Sequence, residues 1–174
     1  MEDIVTINKT ELKEFELLST QKFIFLSIIS LGLYDVWWIY KAWRFFKNKD
    51  NLDITPVARA LFAIFFLHDL FEKIQEYSKS KGNTTSFSSF GCFIGFIAFN
   101  IASRLPDLYY LVSFLAVLFL IQPLKSINYA IKNSEEYSVI DNGKYNYRQI
   151  GLIIVGGILW ILVLIGMFVP FEEV

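Results

Sequence analysis

From Ile150 to Val169 the chain runs for twenty residues without a charge. As a helix, at about 1.5 Å per residue, that run is long enough to cross a hydrocarbon core of roughly 30 Å, and in water it has no polar face to present. It therefore belongs either to a membrane or to the centre of a large core. Composition decides between these: 55% of the 174 residues are hydrophobic, 18% aromatic and 19% charged, an excess of rings that a soluble domain of this size does not need. The expectation is an all-α polytopic membrane bundle.

Net charge is −1, so no basic field exists to hold nucleic acid, and the Lys and Arg residues read as topology signals. The single Cys92 has no second thiol, and one His with one Cys does not supply the ligands of a usual transition-metal site. No metal and no cofactor are expected. The first 22 residues hold Glu2, Asp3, Glu11, Glu14 and Glu16 and no apolar core, so the first apolar segment is expected to act as its own uncleaved signal.

Apolar runs and their punctuation divide the chain into a polar segment 1–22, a membrane domain 23–169 and a short tail 170–174. In the first, Ile4–Ile7 has extended character, and Leu12, Phe15 and Leu18 predict a surface helix over Glu11–Leu18. Five membrane helices follow, at about 23–46, 56–77, 90–104, 107–131 and 150–169. Ser19-Thr20 offers an N-cap to the first, and Thr55-Pro56 opens the second. The apolar centre of the second, Ala60–Leu67, is short, so this helix fits either a span or an interfacial position, giving four or five membrane helices in all. Helices three and four are expected to form an antiparallel hairpin around Pro106. Asp141-Asn142-Gly143, between Val139-Ile140 and Tyr145, marks a small β-hairpin.

Three arrangements suit the basic residues. Five spans put the N-terminus inside; four spans, with helix two interfacial, put it outside and gather more Lys and Arg in the cytoplasm, which favours that arrangement. In the third, helix one bends back at Gly32, and only Arg104 is left outside.

Four sets of residues stand out. Trp37, Trp38, Tyr40 and Trp43 beside Lys41 and Arg44 form the aromatic–basic mixture that settles at headgroup level facing lipid. Gly91, Gly95, Ala98 and Ala102 share a helix face that lets another helix approach, within the chain or in a second copy or other membrane protein. Asp35, Arg59, His68 and Asp69 are ionisable groups near membrane depth, and a polar path through them would suit a small transporter or channel subunit. Asn100 and Arg104 lie one turn apart and suit helix–helix hydrogen bonding and snorkelling. No nucleophile with an activating partner, no paired His and no phosphate-cradling Gly loop occurs, so a non-enzymatic role through lipid or membrane-protein association is expected.

Ser19 and Lys22 ahead of an apolar run, then Leu31-Gly32-Leu33-Tyr34, Trp38-Ile39-Tyr40-Lys41-Ala42-Trp43 and Ile54-Thr55-Pro56-Val57-Ala58-Arg59-Ala60-Leu61-Phe62, carry a further signal. This stretch resembles a group of small multi-span bacterial membrane proteins of the domain-of-unknown-function type, whose runs read approximately LGLYxxYWFYKNW and ISPFWRALF. The resemblance covers Ser19 to about Phe71, with Trp37, Ala42 and Val57-Ala58 departing from the pattern. It implies a bacterial cytoplasmic membrane and no particular activity.

Overall fold

The computed structural model describes residues 13–105, 107–140 and 144–168. Among them the protein is mostly helical: α1 (Thr20–Ile29), α2 (Leu33–Asp50), α3 (Pro56–Leu61), α4 (Ala63–Ser80), α5 (Ser89–Ile101), α6 (Leu118–Lys132) and α7 (Tyr147–Phe168). Two four-residue strands, β1 (Lys13–Glu16) and β2 (Tyr137–Ile140), form its one sheet. Two segments, Leu111–Lys132 and Tyr147–Gly166, are long and apolar enough to cross a membrane. The expected extended stretch at Ile4–Ile7, the turn at Asp141–Gly143, Pro106 and the tail 170–174 lie outside the described residues.

The predicted first helix is two helices. α1 starts where the Ser19 hydroxyl accepts from Lys22 N–H at 3.3 Å, and stops where Gly32 N–H reaches back to Ser27 O at 2.8 Å. Leu31 and Gly32 both turn left-handed there, at φ 54° and 87°. For Gly32 this conformation is free of a Cβ clash, whereas for Leu31 it costs about 1–2 kcal/mol. The chain then folds back. The Phe23 ring, in the first turn of α1, lies 6.0 Å from Tyr34 and 5.6 Å from Trp38 in α2. Ten residues of α1 reach about 15 Å, half the thickness of a hydrocarbon core.

The second predicted helix is also broken. Phe62, at φ −98° and ψ 41°, separates α3 from α4. Leu67, Leu70, Phe71 and Ile74 of α4 are fully buried in the core, while Asp69, Glu72, Glu76 and Lys79 are exposed on its other face. Residues 63–80 are not among the segments long and apolar enough to cross a membrane, and a face so charged is costly in hydrocarbon. The apolar surface that α4 would have shown to lipid is turned against α5 and α6 instead.

α5 packs along the 3₁₀ stretch Asp107–Val117, which continues into α6 through a buried Pro123. A Cβ at Gly95 would run into the Phe119 ring, so that glycine seats α6 within the chain. The expected hairpin around Tyr145 is absent among the described residues: β2 pairs in parallel with β1, Lys13 opposite Tyr137 and Glu16 opposite Ile140. The surface helix expected over Glu11–Leu18 gives way to β1 at Lys13–Glu16, because the Phe15 ring packs edge-on against Phe45 at 5.8 Å and Tyr137 at 6.2 Å. That burial, together with the ladder, outweighs the local helical spacing.

Candidate functional site

Where the end of β1, one face of α2 and the first turn of α7 meet, they enclose a cavity of about 390 Å³. Glu16, Leu17 and Leu18 form one wall, Tyr34, Trp37 and Lys41 a second, and Arg148, Gln149 and Leu152 a third. On α2, Tyr34, Trp37 and Lys41 follow at steps of three and four, which aligns them along one stripe of the helix. The α7 wall is held by a reciprocal cap. Asn146 Oδ1 accepts from Gln149 N–H at 3.0 Å, and Gln149 Oε1 accepts from Asn146 N–H at 3.1 Å, which satisfies two of the helix's open donors. Gln149 then uses its remaining Nε2–H to donate to the Tyr34 hydroxyl at 3.2 Å, tying α7 to α2.

The β1 wall is fixed from two sides. Lys22 Nζ, itself buried, donates to Lys144 O at 2.8 Å and stands 3.5 Å from Glu16 Oε1. Asn128 Nδ2 of α6 donates to Leu18 O at 2.8 Å. With Glu16 answered by Lys22, the cavity keeps two cations, Lys41 and Arg148, neither in an ion pair among the described residues. The partial positive charge of the α7 N-terminus adds to them. Two cations, two carboxamides, a phenol and an indole beside the leucines of the wall suit an anionic amphiphile; among the described residues no nucleophile with a base lines the cavity.

The aromatic–basic set divides. Trp37 and Lys41 line the cavity, Arg44 is exposed and Tyr40 half-buried. Trp38 and Trp43 are corrections: at 7% and 0% exposure they belong to the core and face no lipid. Trp43 supports Arg59, whose guanidinium lies 4.4 Å from the Trp43 ring centroid and 4.9 Å from that of Phe66.

The four residues of the expected polar path have different surroundings. Asp35 is buried beside Ser27, Arg59 stacks on rings, and His68 and Asp69 lie on the outer face of α4; no ion pair among the described residues joins any two of the four. His68 instead stands 3.8 Å from Glu72 and edge-on to Phe90 and Phe93. One donor atom from each of His68, Asp69 and Glu72 falls within 4.8 Å of the others, a grouping that a count of His and Cys overlooks, on residues open to solvent. Of the small-residue face, Gly95 meets Phe119, while Gly91 and Ala98 are exposed and Ala102 is half-buried. Asn100 Nδ2 turns back to Phe96 O at 2.8 Å within its own helix, and Arg104 is exposed.

Arg148, Gln149 and Tyr34 escaped the sequence reading. The Asn146-x-x-Gln149 spacing ahead of an apolar run was the available signal, since it marks a capped helix start at an interface. Compared with family models, curated proteins and solved structures, the chain matches none.

Proposed function

We propose that this chain is a non-enzymatic, multi-pass protein of the bacterial cytoplasmic membrane that holds the headgroup of an anionic lipid in the cavity between Tyr34, Lys41, Arg148 and Gln149. The observation that carries the reading is the position of that cavity. It opens at the first turn of α7, a helix whose Tyr147–Gly166 stretch has mean hydropathy 2.5 and leaves Ile154, Val155, Ile158, Ile161, Leu162 and Ile165 exposed. An apolar face of that length is stable when lipid covers it, and its capped end then lies at headgroup level. The resemblance of Ser19–Phe71 to small bacterial multi-span proteins supports the same membrane.

In this reading, 89–104, 111–132 and 147–166 cross the bilayer, and α1 with the start of α2 forms a re-entrant hairpin of half depth. The parallel pairing of Lys13–Glu16 with Tyr137–Ile140 supports an N-terminus on the side of the α6–α7 connection. Apart from the stacked Arg59, every Lys and Arg except Arg104 then belongs to that side, the strong bias expected of a cytoplasmic face. Lys41 and Arg148 would meet the phosphate, Trp37 the glycerol level and Leu33 and Leu152 the upper acyl chain.

The test is thermal unfolding of the purified full chain in detergent with added phosphatidylglycerol or phosphatidylcholine. Ligand that binds only the folded state raises the midpoint with concentration. The rise is expected with phosphatidylglycerol and absent after Lys41→Gln with Arg148→Gln; equal responses to the two lipids contradict it.

A further inference from the structure

Tyr34 faces the headgroup cavity, and its neighbour Asp35 faces another. Ser27, Ile28, Leu31, Gly32, Asp35, Asn100, Ser113 and Phe114 are among the residues that wall a space of about 40 Å³ between the α1–α2 turn, the end of α5 and the 3₁₀ stretch Asp107–Val117. Asp35 is 7% exposed and Ser27 2%, and neither Asp35 Oδ1 nor Ser27 Oγ has a hydrogen-bond partner among the described residues. Buried polar atoms left so are rare, and a carboxylate among them carries the largest penalty unless a counter-charge reaches it. Among the described residues no Lys, Arg or His lines this cavity. Arg59 lies over the Trp43 ring and Arg104 at the surface, so neither is paired with Asp35 among the described residues.

The space selects what supplies that charge. It exceeds the roughly 10–15 Å³ that one water requires on the same measure, yet it admits no organic group. Its polar lining is oxygen-rich: one carboxylate, two hydroxyls and one carboxamide, the ligands that hard cations take. Asp35 is the single charged residue in the wall among the described residues, so a monovalent ion balances it and a divalent ion leaves an excess charge in a buried place. Backbone dipoles agree. α1 ends at Ile29 and α5 at Ile101, and both bring the partly negative C-terminal end of a helix to the site, while Asp35 sits in the first turn of α2 where an anion is favoured. The helix interruption at Leu31-Gly32 is what lets two opposite helix ends converge, the arrangement by which broken helices hold ions within membranes.

We propose that the cavity between Ser27, Asp35, Asn100 and Ser113 binds one small monovalent cation, of sodium size, with the Asp35 carboxylate as its charged ligand. This site is separate from the headgroup cavity and stands whether or not that cavity takes lipid. Bound there, the ion fastens the α1–α2 turn to the α5 hairpin, so folding becomes sodium-dependent.

The test is thermal unfolding of the purified full chain in sodium, potassium or N-methylglucamine chloride at fixed ionic strength and pH, with binding of ²²Na⁺ measured alongside. The midpoint is expected to rise saturably with sodium and little with N-methylglucamine, with one ²²Na⁺ held per chain. Asp35→Asn should abolish both effects, and Asp53→Asn, at an exposed carboxylate outside the grouping of His68, Asp69 and Glu72, should leave them intact. Should Asp35→Asn fail to fold, Ser27→Ala keeps the charge and is expected to raise the half-maximal sodium concentration by about tenfold, the scale of losing one supporting group around an ion. Equal midpoints in the three salts with no ²²Na⁺ bound, or a midpoint that follows pH alone, would overturn the proposal in favour of a protonated Asp35. Sodium dependence unchanged in the Ser27→Ala and Asp35→Asn chains would overturn it in favour of a site elsewhere.

Discussion

The Gln149 side-chain amide donates to the Tyr34 hydroxyl at 3.2 Å across 115 residues of sequence, and both groups are buried. One carboxamide thereby caps α7 and joins it to α2. Tyr34→Phe removes only that link and is expected to cost about 1 kcal/mol, since the Nε2–H loses its acceptor. Gln149→Ala removes the cap as well and is expected to cost about 2 kcal/mol. Denaturation of the two variants in one detergent checks the order; equal losses would mean that the cap contributes nothing.

Adjacent glycines of α7 give a sharper comparison. A Cβ at Gly156 would strike the backbone carbonyl of Ile29, which cannot swing aside, whereas at Gly157 it would meet nothing within 4 Å. Gly156→Ala is expected to destabilise by about 1–3 kcal/mol by pushing α7 off α1, and it also strains the bond from Trp160 Nε1–H to Ile28 O at 3.0 Å. Gly157→Ala should be neutral or slightly stabilising through helix propensity. Thermal midpoints and Trp fluorescence of the two chains check this.

Arg59 lies between two rings, so its shape matters as well as its charge. Arg59→Lys keeps the cation and loses the planar stack on Trp43 and Phe66, with an expected loss of about 1 kcal/mol, and Arg59→Ala should cost about twice that. A double cycle with Phe66→Leu separates the stacking from general packing; full additivity would show that Arg59 and Phe66 do not interact.

The fold-back at Gly32 has a labelling consequence. With Cys92→Ala as background, Cys introduced at Asn51 or Ser80 is expected to react from the cytoplasmic side only, and Cys at Ser103 from the opposite side only. Intact cells and inverted vesicles make the comparison. Asn51 and Ser80 on opposite sides would restore residues 56–77 as a span.

Much of this architecture was legible in the amino-acid order, and the illegible part has identifiable causes. Long apolar runs set apart Ile150–Val169 and Leu108–Ile121 because their length without charge marks them in any reading. A bend back at Gly32 was one of three arrangements open in the sequence; the left-handed Leu31 beside it was not legible, since a leucine there is stabilised by tertiary contacts such as Phe23 on Trp38 rather than by local preference. The β1–β2 ribbon was out of reach for the same reason: four-residue strands more than a hundred residues apart leave no local periodicity. Ring type alone also misled at Trp38 and Trp43. Spacing was the better guide, because Trp37, Lys41, Arg44 and Asn48 recur at four, three and four along an outer face, and Tyr34, Trp38, Ala42 and Phe45 at four, four and three along the buried one.

Native mass spectrometry of the purified chain, released from micelles holding equal phosphatidylglycerol and phosphatidylcholine, reads the headgroup cavity most directly. The expected spectrum shows one phosphatidylglycerol retained per chain, and loss of that adduct when Lys41 and Arg148 are both changed to Gln. Equal retention of the two lipids, or an adduct indifferent to the double change, would contradict lipid recognition by the cavity beside Tyr34 and Gln149.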